Sequence, residues 1–120
     1  MLHEPETTPE TSEKPLISVV IPMHNEEETI PLLLPALRHH LEPLGTYEII
    51  CVDDGSRDRT LDMLREAHRL DSRVRYVSFS RNFGHQAGLK AGLTHARGKA
   101  VIMMDADLQH PPEYIAIMLE

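Results

Sequence analysis

The chain contains very little cysteine, fewer basic than acidic residues, and no long apolar run. Its one cysteine, Cys51, permits no internal disulfide and is typical of a reducing compartment. Cys51 lies inside an apolar run, which favours a buried structural thiol over a nucleophile. The formal net charge of −7 argues against non-specific nucleic-acid binding, because such binding needs Lys and Arg to displace counterions from phosphates.

No segment reaches the roughly 18 to 20 consecutive apolar residues that a membrane-spanning helix needs. The N-terminus also lacks the basic stretch and apolar stretch of a secretory signal. The length of 120 residues fits one small domain, and the apolar content of 41% is near the globular average. We therefore expect the chain by itself to be a soluble, cytoplasmic globular protein.

The first fifteen residues differ in composition from the rest. Proline, threonine, serine and glutamate dominate there without apolar periodicity, which predicts a flexible acidic tail over residues 1–15. Residues 16–120 show regular apolar patterns, so we assign them to a single domain.

Short apolar runs alternate with segments of helical spacing from residue 16 onward. The pattern predicts strands over 17–21, 47–52, 74–79 and 100–104, and helices over 28–41, 61–70, 84–96 and from 111. We expect Asp58 to cap the second helix and Gly98 to close the third. Alternating strands and helices predict parallel βαβ units, and hence an α/β fold.

Polar residues follow each predicted strand, at the edge of the sheet where α/β proteins bind ligands. These segments are HNEEE at 24–28, DDGS at 53–56, RNFGHQ at 81–86 and DADLQH at 105–110. Turns and caps favour Asp, Asn and Ser in any protein, which accounts for about one acidic residue per loop. That preference does not explain Asp105 and Asp107, two positions apart at the tip of a strongly apolar strand.

Asp105 and Asp107 can converge on one divalent cation, because only a small residue separates them. Mg²⁺ and Mn²⁺ prefer oxygen ligands, and Gln109 adds an amide oxygen two residues further on. Without a cation the two carboxylates would repel each other. We therefore favour a metal site, with simple capping as the alternative.

A group of arginines between residues 57 and 75 is interpreted mainly as the solvated face of a helix and a strand. Binding of an anionic membrane or a diphosphate is the alternative for this group. Its members are Arg57, Arg59, Arg65, Arg69, Arg73 and Arg75.

Four segments occur in an order that is typical of one enzyme family. They are ISVVIPMHNEE at 17–27, VDDGSRDRT at 52–60, SRNFGHQAG at 80–88 and MDADLQHPPE at 104–113. Through these motifs residues 17–120 resemble the family 2 glycosyltransferases of GT-A fold. Within that family they are most similar to polyprenyl-phosphate sugar transferases, such as dolichyl-phosphate mannose synthases and bactoprenol glucosyltransferases. The resemblance implies a Rossmann-like nucleotide-binding half-domain, with a mostly parallel sheet in the order 3-2-1-4 flanked by helices.

The resemblance implies a nucleotide site built from the first two motifs. Pro22, Asn25 and Glu26 would line the pocket for the base and ribose, and Asp53 would hydrogen-bond the nucleobase. Asp54 would either face the nucleotide or order the turn that follows the strand.

The resemblance also implies roles for the last two motifs. Asp105, Asp107 and Gln109 would hold Mg²⁺ or Mn²⁺ against the diphosphate of the donor, with Asp105 also touching the nucleotide. Arg81 and the loop through Gln86 would lie near the nucleotide or sugar. The alternative for Arg81 is a solvated charge at the end of a strand.

The implied reaction is transfer of a hexose from a nucleotide sugar to a polyprenyl phosphate at the cytoplasmic face of the membrane. UDP-glucose is the preferred donor and GDP-mannose its main rival. We expect inversion at the anomeric carbon, and Asp107 to be essential through the metal and not through proton transfer. Two alternatives are a non-catalytic nucleotide-sugar-binding chain and a family 2 transferase that acts on a glycan or soluble acceptor.

The family continues beyond the position of Glu120 with acceptor-binding segments and, in this branch, membrane helices. We therefore expect the 120 residues alone to lack transferase activity, and membrane contact to come from such segments. The predicted last helix presents an apolar face that needs a partner, for which a homo-oligomer is one arrangement. Its residues are Ile115, Ile117, Met118 and Leu119.

Overall fold

The computed structural model describes residues 2–3 and 14–106, which form a sheet with helices on both faces. The strands are β1 (Leu2–His3), β2 (Ile17–Met23), β3 (Tyr47–Asp54), β4 (Val74–Phe79) and β5 (Ala100–Met103). The helices are α1 (Ile30–Leu41), α2 (Thr60–Leu70) and α3 (His85–His95), and a 3₁₀ turn covers Glu42–Leu44. The predicted helix from residue 111 lies outside the described residues.

The strand order in the sheet is β1-β4-β3-β2-β5. β2 to β5 are the four strands predicted from the sequence, and all of them are parallel. Their order β4-β3-β2-β5 is the predicted order 3-2-1-4, which is therefore confirmed. β1 pairs antiparallel with β4, with Leu2 opposite Phe79, inside the segment predicted to be a tail. Residues 4–13 lie outside the described part, and their flexibility stays a prediction.

The two central strands are buried along their whole length, because helices cover both faces of the sheet. Alternate residues point to opposite faces: Val19 packs in the cluster with Leu33 of α1, whereas Val20 packs in the cluster on the α3 side. Cys51 is fully buried in the first cluster, and burial raises the pKa of its thiol to about 12. The prediction of a structural thiol is therefore confirmed.

Helix α3 lies unusually close to the sheet. A Cβ atom at Gly92 would overlap Val20 Cγ1, and one at Gly88 would lie 3.1 Å from Pro22 Cβ. This close approach brings the first residue of α3 to the carboxyl edge of β2. No helix in residues 2–3 and 14–106 has the length and apolar character needed to cross a membrane.

Two predicted helix caps are wrong. Arg59 occupies the N-cap of α2. Asp58 lies one residue before the N-cap, and its carboxylate accepts a 2.9 Å hydrogen bond from the Thr60 N–H. Ala96 ends α3. Gly98 lies in the turn into β5, where its N–H donates to Ser18 Oγ at 2.7 Å.

A buried carboxylate holds the opposite edge of the sheet, at the start of the parallel strands. The side chain of Glu48 is only 2% exposed, and Ser18 Oγ and Arg75 Nη1 donate to it at 2.6 and 2.8 Å. The Arg97 N–H donates at 2.7 Å. Because Arg97 and Gly98 are both held here, the entry into β5 is fixed relative to β2 and β3.

Candidate functional site

The carboxyl ends of β2, β3, β4 and β5 lie along one edge of the sheet, because these four strands are parallel. Two clefts open at this edge, with volumes of about 410 and 490 Å³. We call the first the acidic cleft; it is lined by Pro22, Met23, His24, Glu26, Asp54, Asn82, Gly84, His85, Asp105 and Ala106. We call the second the arginine cleft; it is lined by His24, Asn25, Gly55, Ser56, Arg57, Ser80, Arg81 and Asn82.

Hydrogen bonds join the loop after β2 to the loop after β3. The N–H of Asn25 donates to Ser56 Oγ at 2.8 Å, and Asn25 Oδ1 accepts from the Arg57 N–H at 2.8 Å. Asn25 has a left-handed φ of 54°, a conformation that asparagine tolerates better than most residues. The N–H of Glu26 donates to Thr60 Oγ1 at 2.8 Å. Asn25 therefore organises the loop that presents Glu26 to the acidic cleft.

Asp54 binds the loop that leads from β4 into α3. Its carboxylate is buried and accepts hydrogen bonds from the N–H groups of Phe83 and Gly84 at 2.7 and 2.9 Å. Of the two roles predicted for Asp54, the structure shows the ordering of a loop, although the loop is the one after β4. Asp54 also lines the acidic cleft, and contact with a nucleotide stays a prediction.

Asp53 is 2% exposed and lines neither cleft. One carboxylate oxygen accepts from the Ser56 N–H at 3.2 Å and the other from the Ser78 hydroxyl at 3.5 Å. These bonds fix the turn after β3. A hydrogen bond from Asp53 to a nucleobase stays a prediction.

Pro22 lies inside the central strand β2 without costing the sheet a hydrogen bond. The backbone carbonyl of Val20 points toward β5 and accepts a hydrogen bond from the Met104 N–H at 3.1 Å. Because the backbone direction alternates along a strand, the backbone of Pro22, two positions on, points toward the same side. The pairing of β2 with β5 ends at Val20 and Met103. The missing N–H of proline therefore falls beyond the ladder, and the ring lines the acidic cleft.

The acidic cleft brings together four of the residues predicted from the sequence. Pro22, Glu26, Asp54 and Asp105 come from the ends of three strands and all line it. His85 belongs to the loop that was predicted to lie near the nucleotide or sugar, and it also lines this cleft. At the first position of α3, its Nε2 lies 3.7 Å from Asp105 Oδ1. This contact was not predicted, because the two residues are distant in sequence.

Arg81 lines the arginine cleft and not the acidic one. Its guanidinium carbon lies 4.7 Å from the centre of the Phe83 ring, so the charge stacks on an aromatic face. Two predicted site residues therefore fall in this cleft, Arg81 and Asn25.

Asp105 fits the predicted metal site as far as the described residues extend. Its side chain is 42% exposed at the tip of β5, so a carboxylate oxygen is available to a cation in the acidic cleft. Asp107 and Gln109 lie outside the described residues. Within 2–3 and 14–106, no three His, Cys, Asp or Glu side chains are grouped to hold a metal ion.

Comparison of the sequence with known proteins identifies relatives over most of the chain. Residues 18–120 match the family described as Glycosyl transferase family 2. An uncharacterized glycosyltransferase of Synechocystis sp. is 50% identical over 100 residues, which are 82% of this chain and 31% of that protein. An undecaprenyl-phosphate 4-deoxy-4-formamido-L-arabinose transferase of Edwardsiella ictaluri is 45% identical over 106 residues, 87% of this chain and 33% of that protein.

Two solved structures share the fold. The mannosyltransferase PcManGT of Pyrobaculum calidifontis, in complex with GDP-Man and Mn²⁺, gives a TM-score of 0.69 at 26% identity over 80% of this chain and 28% of its own. S. aureus TarS in complex with UDP-GlcNAc gives 0.62 at 28% identity over 76% of this chain and 26% of its own.

The chain spans about a third of the length of the curated relatives that it matches. The predicted resemblance over residues 17–120 is confirmed, since the matched residues begin at Ser18 and include all four motifs except Ile17. With this match and the parallel sheet in the order of the GT-A transferases, the chain belongs to glycosyl transferase family 2.

Proposed function

We propose that the chain is the donor-binding part of a metal-dependent, inverting glycosyltransferase that moves a hexose from a nucleotide sugar to a polyprenyl phosphate. UDP-glucose is the preferred donor and GDP-mannose the main rival. The observation that carries the proposal is the acidic cleft, where Pro22, Glu26 and Asp105 meet at the carboxyl edge of the sheet. Such an edge is where open α/β sheets bind nucleotides.

The groups in the acidic cleft suit a nucleoside diphosphate sugar. The Glu26 carboxylate can accept hydrogen bonds from ribose hydroxyls, and Pro22 offers an apolar surface beside it. The related PcManGT and TarS structures contain GDP-Man and UDP-GlcNAc, which supports the ligand class and leaves the base open.

A divalent cation is needed because this cleft is negatively charged. Glu26, Asp54 and Asp105 would repel a diphosphate, and a cation held by Asp105 would reverse that repulsion. Asp107 and Gln109 would complete the protein ligands. When bound, the cation supplies Lewis-acid stabilisation of the departing nucleoside diphosphate. The Mn²⁺ in the PcManGT complex supports this part of the proposal.

The acceptor is proposed from the relatives' names and from charge. Several relatives are named undecaprenyl-phosphate 4-deoxy-4-formamido-L-arabinose transferases, which supports a polyprenyl phosphate acceptor. The cytoplasmic face of the membrane rests on the sequence resemblance alone. A phosphate monoester is already an anion and needs little help from a general base. Its attack opposite the leaving group inverts the anomeric carbon. The sugar in those names is a modified pentose, so a hexose rests on the sequence resemblance alone.

Calorimetric titration of the chain with UDP-glucose and with GDP-mannose tests the proposal. We expect binding in the presence of Mn²⁺, and a loss of at least about tenfold in affinity in EDTA or in Asp105→Asn and Asp107→Asn. Asp62→Asn is the matched control, because Asp62 lies exposed on α2, away from the cleft, where it pairs with Arg65. Equal binding in EDTA, or unchanged affinity in both aspartate variants, would contradict metal-dependent donor binding.

The same titration separates the two donors by relative affinity. Labelled donor and a short-chain polyprenyl phosphate added to the protein measure transfer itself. In that assay we expect the 120 residues alone to show no transfer of the sugar.

A further inference from the structure

The two clefts carry opposite charge. The acidic cleft contains Glu26, Asp54 and Asp105, whereas the lining of the arginine cleft contains Arg57 and Arg81 and no acidic side chain. The sign of the charge thus changes across a short distance, in a chain whose net charge is −7. An anion that the first cleft repels without a cation is attracted by the second.

Arg57 and Arg81 are not neutralised by any acidic side chain in the part of the chain that the structure describes. Arg59 resembles them in this respect, but it lies at the N-cap of α2 and does not line the cleft. The other arginines of the described residues each pair with a carboxylate: Arg38, Arg65, Arg69, Arg73, Arg75 and Arg97. The arginine cleft therefore contains two positive charges that form no ion pair within the described residues.

The fold holds both arginines on one concave surface. The backbone of Arg57 is fixed by its hydrogen bond to Asn25 Oδ1, and the guanidinium of Arg81 is oriented by the Phe83 ring. Gly55, with φ of 67°, lets the two loops touch, because a Cβ there would overlap the backbone of Arg81 and Asn82. The relative positions of the two arginine backbones are therefore set by the packing of the two loops.

Neutral donors accompany the two arginines. Ser56 Oγ accepts from the Asn25 N–H, which leaves its hydroxyl hydrogen for another acceptor. His24 Nδ1 lies 2.8 Å from the Asp54 carbonyl and must carry hydrogen to donate to it. The Asn82 amide nitrogen lies 3.4 Å from the same ring nitrogen and lines the cleft beside it.

We propose that the arginine cleft is a phosphate-binding subsite, with Arg57 and Arg81 as its charged ligands. Guanidinium groups match phosphate oxygens in geometry and stay charged at all physiological pH values. The cleft volume of about 490 Å³ accommodates a phosphate group together with part of the molecule that carries it. The phosphate belongs either to the donor or to the acceptor, and that choice of source rests on the proposed function, whereas phosphate binding itself does not.

The test is an NMR titration of the isotope-labelled chain with inorganic phosphate, UDP and farnesyl phosphate, a short isoprenyl phosphate. We expect saturable shifts of the amide signals of Ser56, Arg57, Arg81 and Asn82. Arg57→Gln and Arg81→Gln should each weaken binding by about tenfold, the effect of losing one charge-assisted hydrogen bond. Arg59→Gln, which makes the same change in net charge outside the cleft, should change affinity less than about twofold.

The pattern across the ligands identifies the source of the phosphate. Weaker binding of farnesyl phosphate with unchanged UDP assigns the subsite to the acceptor, and the reverse assigns it to the donor. The proposal is overturned if no ligand shifts these four signals saturably, or if Arg59→Gln weakens binding as much as the cleft variants do. UDP-glucose with diamagnetic Mg²⁺ that shifts the signals of Glu26 and Asp105, while phosphate leaves those of the arginine cleft unchanged, would refute this subsite and leave the proposed function standing.

Discussion

The carboxylate of Asp54 accepts a 2.9 Å hydrogen bond from the backbone N–H of Gly84, thirty residues further along the chain. Its other oxygen accepts from Phe83 at 2.7 Å. Because His85 follows Gly84 and faces Asp105, this one buried side chain connects the ends of β3, β4 and β5. The geometry of the acidic cleft depends on it, whether or not Asp54 touches a ligand.

Asp54→Asn should destabilise the protein by about 1 to 3 kcal/mol. The amide that replaces the carboxylate can accept from only one of the two N–H groups and turns its own NH₂ toward the other, which leaves a buried donor without an acceptor. Urea denaturation measures the loss. Asp62→Asn, on the exposed face of α2, should stay within about 0.5 kcal/mol. Equal stability of the Asp54 and Asp62 variants would show that the bonds to Phe83 and Gly84 contribute nothing.

Gly55→Ala should cost more stability than Gly84→Ala. Both glycines have positive φ, 67° and 100°, so alanine is strained at either position. The strain is about 1 to 2 kcal/mol in the left-handed region of Gly55. It is about 1 to 3 kcal/mol at Gly84, whose ψ of 163° places it in a region that essentially only glycine adopts. At Gly55 the added Cβ would also overlap the backbone of Arg81 and Asn82, whereas at Gly84 it would meet no non-neighbouring atom of the described residues within 4 Å. Thermal unfolding of the two variants measures the difference. A larger loss at Gly84 would contradict the close contact of the two loops.

The parallel sheet and its carboxyl edge could be predicted from the sequence because the signals for them are local. β2 and β3 are short, mostly apolar runs, and each is followed by polar residues. The carboxyl ends of parallel strands must lie along one edge of the sheet. The position of Glu26, Asp54 and Asp105 in one cleft followed from that rule.

The partners of buried polar groups could not be predicted, because they are distant in sequence. The carboxylate of Asp54 was visible at a strand end, but nothing local shows that residues 83 and 84 reach it. Glu48 stands out in an apolar strand, yet its partners Arg75 and Arg97 are 27 and 49 residues away. The division of the edge into two clefts depends on His24 and Asn82, which line both.

Cys51 should not react with a water-soluble disulfide reagent in the folded protein. The thiol is completely buried, and burial raises its pKa to about 12, so almost no reactive thiolate exists at mildly alkaline pH. In urea the same reagent should modify one thiol per chain, since Cys51 is the only cysteine. Rapid modification in buffer without urea would show that the core around β3 opens readily.

Glu48 should make the stability of the protein depend on pH in the acid range. Burial raises the pKa of its carboxyl group, but hydrogen bonds from Ser18, the Arg97 N–H and Arg75 outweigh burial and hold the pKa below its ordinary value of 4.5. The unfolded chain therefore takes up the proton first as pH falls. The stabilisation is fully present above about pH 4.5, and it is lost as pH falls through the lower pKa of the folded state.

Glu48→Gln should lower the free energy of unfolding at neutral pH by about 3 kcal/mol, because it removes the buried carboxylate charge that pairs with the half-buried Arg75. The variant cannot ionise, so the gap between it and the wild type should shrink below pH 4.5. Urea denaturation of both proteins from neutral to acid pH measures this convergence. Glu66→Gln is the control, because Glu66 also pairs with an arginine but on the exposed face of α2, and its gap should be far smaller at every pH. A gap for Glu48→Gln that stayed constant down to acid pH would mean that the carboxylate charge does not stabilise the start of β5 against β2 and β3.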